Sequence, residues 1–287
     1  DQIRTRRLAV IKYRGSGFMS NETPFAITPT GIRILPLSGS VKPRRRNAQE
    51  RIGSGSRQLD QILGGGFRPG ESILLAGTAG TGKTTLAATF TDAACRAGQR
   101  VLFVNYETSA QALVESMRSP GIDLGPHLAA GTLSVLDAMP ETAGVEEHLV
   151  RVLDAATAFQ PGHMVIDAVS ALRRMGSKLA GFEMLVRLFS YCGNHGITLL
   201  LLNQAPAGLP FQNLSGFGVS SLVDTIICLQ FVENTGRIRT RLLVVKSRGT
   251  AHARDDQELR IGSHGIAIVP ERPLPAPVAH RGTEAPR

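Results

Sequence analysis

Residues 77–84 read Gly-Thr-Ala-Gly-Thr-Gly-Lys-Thr, the spacing G-x-x-x-x-G-K-[ST]. In such a loop the glycines let backbone N–H groups turn inward around phosphate oxygens. The lysine reaches the terminal phosphates and the threonine hydroxyl faces a divalent cation. The pattern works only when a buried strand delivers the loop and a helix N-terminus completes it. Both flanks comply, with the apolar run Ser72 to Ala76 before it and a helix expected over Lys83 to Arg96. Gly77, Thr78, Ala79, Gly80, Thr81, Gly82, Lys83, Thr84 and Thr85 are therefore the expected nucleotide-binding residues, with ATP and Mg2+ as ligands.

The rest of the chain from residue 52 fits around that loop. Val101 to Val104, Thr132 to Leu136, His163 to Ile166 and Ile197 to Leu202 are short apolar runs, of the kind buried on both faces of a parallel sheet. Helices are expected near Ala110 to Arg118 and over 144–159, where Val145, Leu149, Val152 and Ala156 share one face. Strands alternating with helices predict an α/β fold: a mostly parallel central sheet flanked by helices. Thr225 to Phe231, Arg239 to Lys246, Glu258 to Ile261 and Ile266 to Val269 add a β-rich C-terminal extension.

Carboxylates at strand ends are the next candidates. Asp167 closes the run Met164-Val165-Ile166, where it would face Mg2+ directly or through water; the alternative is an ordinary helix cap. Glu107 follows Asn105-Tyr106 and could act as a base on the group attacking the γ-phosphate, or be a surface residue opening a helix. Asn203-Gln204 ends another strand and could sense the same phosphate. Lys246 and Arg248 lie two apart on one strand face, so both could stabilise a transferring phosphate held by a neighbouring subunit. A solvated edge strand is the plain alternative.

Residues 7–34 and 241–268 align without a gap at an offset of 234. Arg7, Leu8, Val10, Lys12, Arg14, Gly15, Ile27, Gly31, Ile32 and Ile34 meet identical residues, against about two matches expected from ordinary usage. Only the second copy has a phosphate loop before it. The expectation is a tandem protein: 1–35 as the last strands of an upstream domain, 36–51 as a linker, 52–269 as the nucleotide-binding domain and 270–287 as a disordered tail. Beginning with Asp rather than Met, the sequence reads as a fragment or processed product.

Composition removes several classes. No apolar run is long enough to span a membrane. Cys95, Cys192 and Cys228 form no C-x-x-C pair and read as buried, reduced thiols of a cytoplasmic protein. The net charge of +9 raises nucleic-acid binding, but aromatics are only 5% and no basic-aromatic stripe exists, so the excess is assigned to solvated segments.

Together these residues resemble the KaiC family, circadian-clock ATPases and autokinases of the RecA superfamily. The segments that carry the resemblance are L-D-Q-I-L-G-G-G-F, the phosphate loop, N-Y-E-T-S, P-E-T-A-G-V-E-E-H-L, V-I-D-A-V-S-A-L, S-S-L-V-D-T-I-I-C-L-Q-F-V-E and K-S-R-G-T. The loop marks only the superfamily. The D-T-I-I-x-L-Q block, the K-x-R-G corner and the tandem repeat make the match specific.

The resemblance implies a RecA-like fold in a double-domain homohexamer with ATP between subunits. It implies that Thr84 and Glu107 hold Mg2+, and that Lys246, Ser247, Arg248, Thr250, His252 and Arg254 line the neighbour's ATP. It also implies phosphorylation of Ser220 and Ser221, cytoplasmic location and a KaiB-like or other signalling partner. Two departures stand out. Thr108 replaces a second glutamate after Glu107, and the segment beyond Val269 does not match the regulator-binding tail of cyanobacterial members. Three functions are thus expected in turn: an ATPase with serine autokinase activity, a DNA-dependent ATPase, and an ATP-assembled scaffold with little turnover.

Overall fold

The structure, a computed structural model, describes residues 6–17, 21–29, 31–35, 50–205, 214–234, 236–253 and 255–270. The expected linker apart from its last two residues, the tail beyond Pro270, residues 206–213 and Arg254 lie outside these.

The chain opens with a small antiparallel sheet, β1 (Arg7–Leu8), β2 (Thr23–Thr28) and β3 (Gly31–Ile34). The main body follows: α1 (Arg57–Ile62), β4 (Ser72–Gly77), α2 (Lys83–Arg96), β5 (Val101–Asn105), α3 (Ala110–Arg118), α4 (Gly125–Ala129) and β6 (Leu133–Asp137). Next come α5 (Val145–Phe159), β7 (His163–Asp167), α6 (Leu172–Met175), α7 (Lys178–His195) and β8 (Thr198–Gln204). Four strands complete it, β9 (Thr225–Asn234), β10 (Arg237–Ser247), β11 (Gln257–Gly262) and β12 (Gly265–Pro270).

The large sheet runs β12-β11-β10-β9-β4-β8-β7-β5-β6. Strands β9, β4, β8, β7, β5 and β6 are mutually parallel, and β10, β11 and β12 continue antiparallel. This is the mixed α/β, RecA-like arrangement with a β-rich extension. One core fills the face covered by α5 and α7, with Leu74, Leu102, Met164, Leu199 and Leu201 at its centre. The other lies against α1, α2 and α3, through Ile73, Leu75, Phe103, Val165 and Leu202. Alternate residues of one strand thus enter opposite cores, which is why the inner strands are apolar throughout. Cys95, Cys192 and Cys228 are buried and free, and burial raises each thiol pKa, so all three pack as small apolar groups.

The parallel strands all point the same way, so the sheet has two functionally different edges. Phosphate-loop strand β4 ends at one, and β10, running the other way, ends at the opposite one. Ser247 pairs with Thr225, which is level with Ile73 near the start of β4. Between Val244 and Lys246 the register slips by a β-bulge, a local twist that re-aims the side chains beyond it.

The offset of 234 is also a structural register. Leu8↔Thr23 and Phe25↔Ile34 in the small sheet correspond to Leu242↔Gln257 and Leu259↔Ile268 in the large one. What differs is the buried face. Leu242, Leu259 and Ile268 are buried in the core beside α2, whereas their counterparts Leu8 and Ile34 are exposed and Phe25 is half-buried. Conversely Pro24 and Ala26 are buried where the large sheet has half-exposed Glu258 and exposed Arg260. Ala26 and Leu35 join the core of α5 and α7. Arg187 Nε donates to Leu35 O at 2.7 Å, and Arg7–Glu183 and Arg33–Asp154 ion pairs at 3.1 and 2.9 Å flank the contact.

Candidate nucleotide site

The loop after β4 folds as its glycines require. At Gly77 a Cβ would strike Leu229 O of the adjacent strand, and at Gly82, with φ +90°, it would strike the Ile261 side chain. Gly77 admits no larger residue without moving the adjacent strand, and at Gly82 the positive φ is one that side chains rarely adopt. Gly82 also occupies the cap of α2 without a side-chain hydrogen bond, and no acidic residue stands in the first turn. The first N–H groups of a 14-residue helix therefore remain to bind an anion, assisted by the helix dipole.

Lys83 is buried at the bottom of this loop. Its Nζ donates to Gly77 O at 3.0 Å and Thr78 O at 2.7 Å, which holds the ammonium where phosphate oxygens would sit. Burial lowers its pKa, and the nearby Asp167 and Glu107 carboxylates oppose that shift. Thr84 Oγ donates to Asp167 Oδ2 at 2.7 Å. Asp167 is only 4% exposed, and burial raises its pKa to about 6 against the pull of Thr84 and Lys83. It caps no helix: the turns that follow begin from Ala168 and Ala171.

Glu107 reaches the same place from β5. Asn105 supplies its turn: Oδ1 accepts the backbone N–H of Glu107 at 3.1 Å and of Thr108 at 3.3 Å, and Nδ2 donates to Thr108 Oγ at 2.8 Å. Thr108 thus helps to lock the turn that presents Glu107. An open cleft of about 290 Å³ lies between Ala79, Gly80, Lys83, Thr84 and Thr85 on one side and Glu107, Asp167 and Gln204 on the other. Asn203 and Gln204 divide their expected role. Gln204 faces the cleft, whereas buried Asn203 donates to Leu214 O and ties down the chain beyond β8.

The cleft offers hard oxygen donors in the form Mg2+ favours: one hydroxyl and two carboxylates beside a phosphate cradle. Thr84, Asp167 and Glu107 fit that ion, with Thr84 and Asp167 already in contact. Substitution of Asp167 gives opposite effects on two observables. A carboxylate whose pKa is raised on folding stabilises the fold fully below its unfolded value, and loses that contribution as pH rises through about 6. Asp167→Asn is therefore expected to stabilise the nucleotide-free protein at pH 8 by about 2 kcal/mol, with the gain gone at pH 4, while lowering ATP hydrolysis about 10²-fold. Thermal unfolding across that pH range, alongside turnover, checks both.

Lys246, Ser247, Arg248, Thr250 and His252 do not meet this cleft. They lie at the other sheet edge, at least four strand residues or about 13 Å from Gly77 before side chains are counted. There Lys246 Nζ donates to Ser220 O at 3.0 Å and Val223 O at 2.7 Å. Arg248 donates to Ser221 O and stands 3.9 Å from Asp224 Oδ1, its side chain 52% exposed. Ser220 and Ser221 sit in the short 3-10 turn Val219–Ser221, Ser220 Oγ 3.3 Å from Ser215 Oγ. The expected cations and expected acceptors are thus one cluster, remote from their own chain's phosphate loop.

Asn105, the support of Glu107, is not among the expected site residues, although N-x-E-T after an apolar run is an Asx-turn signal. Nor is Ile261, which packs over Gly82 from β11, three places along the sheet from β4. No helix among the described residues is long and apolar enough to cross a membrane.

A family model described as "ATPase: KaiC" matches residues 52–273. The chain is 36% identical over 265 residues to the circadian clock oscillator protein KaiC of Parathermosynechococcus lividus, covering 92% of this chain and 49% of that protein. It is 35% identical over 271 residues to the circadian clock protein KaiC2 of Synechocystis sp., covering 94% and 48%. Against KaiC of Synechococcus elongatus the identity is 34% over 265 residues, covering 92% and 51%. The chain spans about half the length of these relatives. With its phosphate loop, paired carboxylates and K-S-R-G-T corner all within the matched region, the chain belongs to the KaiC family of ATPases.

Proposed function

We propose that this chain is a Mg2+-dependent ATPase and serine autokinase that works between copies of itself, in a closed head-to-tail ring of six in the cytoplasm. The observation that carries this reading is the separation of the site's two halves. The phosphate loop, Glu107 and Asp167 occupy one sheet edge, and Lys246, Arg248, Ser220 and Ser221 the other. One chain cannot bring them together, but a second copy placed edge to edge can. Repetition of such a heterologous contact closes into a ring.

In this arrangement Lys83 and the first turn of α2 grip the β/γ-phosphates, and Lys246 and Arg248 arrive from the adjoining protomer to stabilise charge on the moving phosphoryl group. Mg2+, held by Thr84, Asp167 and Glu107, would supply neutralisation of the triphosphate charge. Glu107 takes the proton from the attacking oxygen. When that oxygen is water, the γ-phosphate leaves as inorganic phosphate. When it is the hydroxyl of Ser220 or Ser221 brought in by the neighbour, the γ-phosphate becomes its ester and ADP departs.

Leu8, Ile27, Ile32 and Ile34 leave an apolar face on the small sheet, in the register that the large sheet uses to cover α2. A preceding RecA-like domain would cover it, consistent with a chain half as long as its relatives. A role in clock-like signalling follows the names of those relatives, and a KaiB-like or other signalling partner is proposed with it.

Intact-mass analysis after incubation with ATP tests the kinase half. A gain of one or two phosphates, mapped to Ser220 and Ser221 and lost in Glu107→Gln together with about 10²-fold of the hydrolysis, is expected. Hydrolysis without phosphate on protein removes the kinase half. Hydrolysis unchanged in Glu107→Gln removes the base.

A further inference from the structure

Glu71 immediately precedes β4, at the opposite end of that strand from the phosphate loop, and is only 4% exposed. A buried carboxylate is costly unless several donors converge on it. Here Arg68 N donates to Oε2 at 2.9 Å, and the hydroxyl of Thr225, fully buried, donates to Oε1. Thr225 has a single proton, which the carboxylate takes. The Ser247 hydroxyl, 3.2 Å away, must therefore donate to Thr225 Oγ. A chain Ser247 → Thr225 → Glu71 results, with every proton direction set by the carboxylate.

The same loop holds the next two residues of the K-S-R-G-T corner. Arg68 donates its guanidinium to Gly249 O, a residue at φ +63°. Arg248 N donates to Asp224 O at 3.1 Å, and Asp224 Oδ2 accepts Ser72 N at 3.0 Å. Ser247, Arg248 and Gly249 are thus each tied to the segment that enters β4, just beyond the bulge between Val244 and Lys246.

We propose that Glu71 is the positioning residue for the cations that each protomer lends to its neighbour, acting through Thr225 and Ser247. This rests on the lending of Lys246 and Arg248 proposed above. Glu71 touches no nucleotide. It fixes the polarity of a buried hydrogen-bond chain that holds the backbone between the two cations. A glutamine keeps an acceptor for Arg68 N–H but presents an N–H donor to Thr225 Oγ, so it reverses the chain instead of holding its direction.

The test separates the half of the site a protomer keeps from the half it gives away. Glu71→Gln and Thr225→Val are expected to lower kcat about thirtyfold, with ATP affinity changed less than about twofold because the chain's own phosphate loop is intact. Thr225→Ser, which keeps the hydroxyl, is expected to restore turnover. Mixing Glu71→Gln with Lys83→Ala subunits should raise activity above either alone, since the second supplies sound cations to the first. Mixing Glu71→Gln with Arg248→Ala should not, both being faulty in the same half.

If Arg248→Ala complements Lys83→Ala but Glu71→Gln does not, Glu71 has only a structural part and the proposal falls. If neither complements, the lending of cations itself is wrong. Should Glu71→Gln fail to fold, Thr225→Val against Thr225→Ser decides in the same mixing assay: rescue of the first by Lys83→Ala supports the proposal, and its absence overturns it.

Discussion

Lys83→Ala is expected to weaken ATP binding at least about 10²-fold and to lower turnover about 10³-fold, without loss of fold. Among the described residues that line the chain's own cleft, Lys83 is the one cation, its ammonium held by Gly77 O and Thr78 O. Alanine removes that charge and leaves the α2 N–H groups to hold the triphosphate alone. The fold has no need of the charge. Burial lowers the Lys83 pKa, so folding disfavours its ionised form, and the nucleotide-free variant should melt no lower than the parent. Fluorescent-nucleotide titration and thermal unfolding check the two halves. Unchanged affinity in a folded variant would mean that phosphate does not bind here.

Arg248→Ala should lower hydrolysis about 10²- to 10³-fold while leaving ATP affinity near that of the parent. The Arg248 side chain is half exposed, so in the proposed ring it contributes no more than about 10³-fold, the least an inserted arginine usually gives. The diagnostic result comes from mixing. Arg248→Ala subunits keep a sound phosphate loop and Lys83→Ala subunits keep sound cations. Random head-to-tail assembly then pairs the two sound halves at about a quarter of the sites, so two nearly inactive proteins should regain about a quarter of parental activity. No recovery on mixing, with both variants assembled, would place Arg248 outside the reacting centre.

Much of the layout was readable from residues alone because local pattern and tertiary need coincide there. Helices α2 and α3 run over the expected Lys83–Arg96 and Ala110–Arg118, and β5, β7 and β8 fall within two residues of the expected runs. Each of those strands is buried on both faces, which leaves an uninterrupted apolar signature. Helix α7 left no such mark. Gly181 stands in its second turn, where intrinsic propensity disfavours a helix by about 1 kcal/mol, and only the fold shows why: the Phe217 ring occupies the place of a Cβ.

The candidate site was half legible. Gly77 to Thr84, Glu107 and Asp167 follow from strand ends and spacing, and the structure brings Ala79, Gly80, Gly82, Lys83, Thr84, Glu107 and Asp167 to one cleft. That Lys246 and Arg248 face away from it depends on β10 running against β9, a pairing direction the residues do not spell out. Asn105 and Glu71 act through hydrogen bonds whose partners are fixed only when the backbone is folded. The duplication at offset 234 was visible as identities, but the exchange of buried faces was not. It turns on Pro24 and Ala26 standing where Glu258 and Arg260 stand, at positions the identity count ignores.

That exchange bears on how the protein can be divided. The stretch matching the family begins at residue 52, yet the flank of α5 and α7 is sealed by Pro24, Ala26 and Leu35, which come earlier in the chain. A cut placed at residue 52, where the family model begins, would leave that oily flank bare and deprive the Arg187 guanidinium of the Leu35 carbonyl. Only a piece that keeps the hairpin should stay monodisperse.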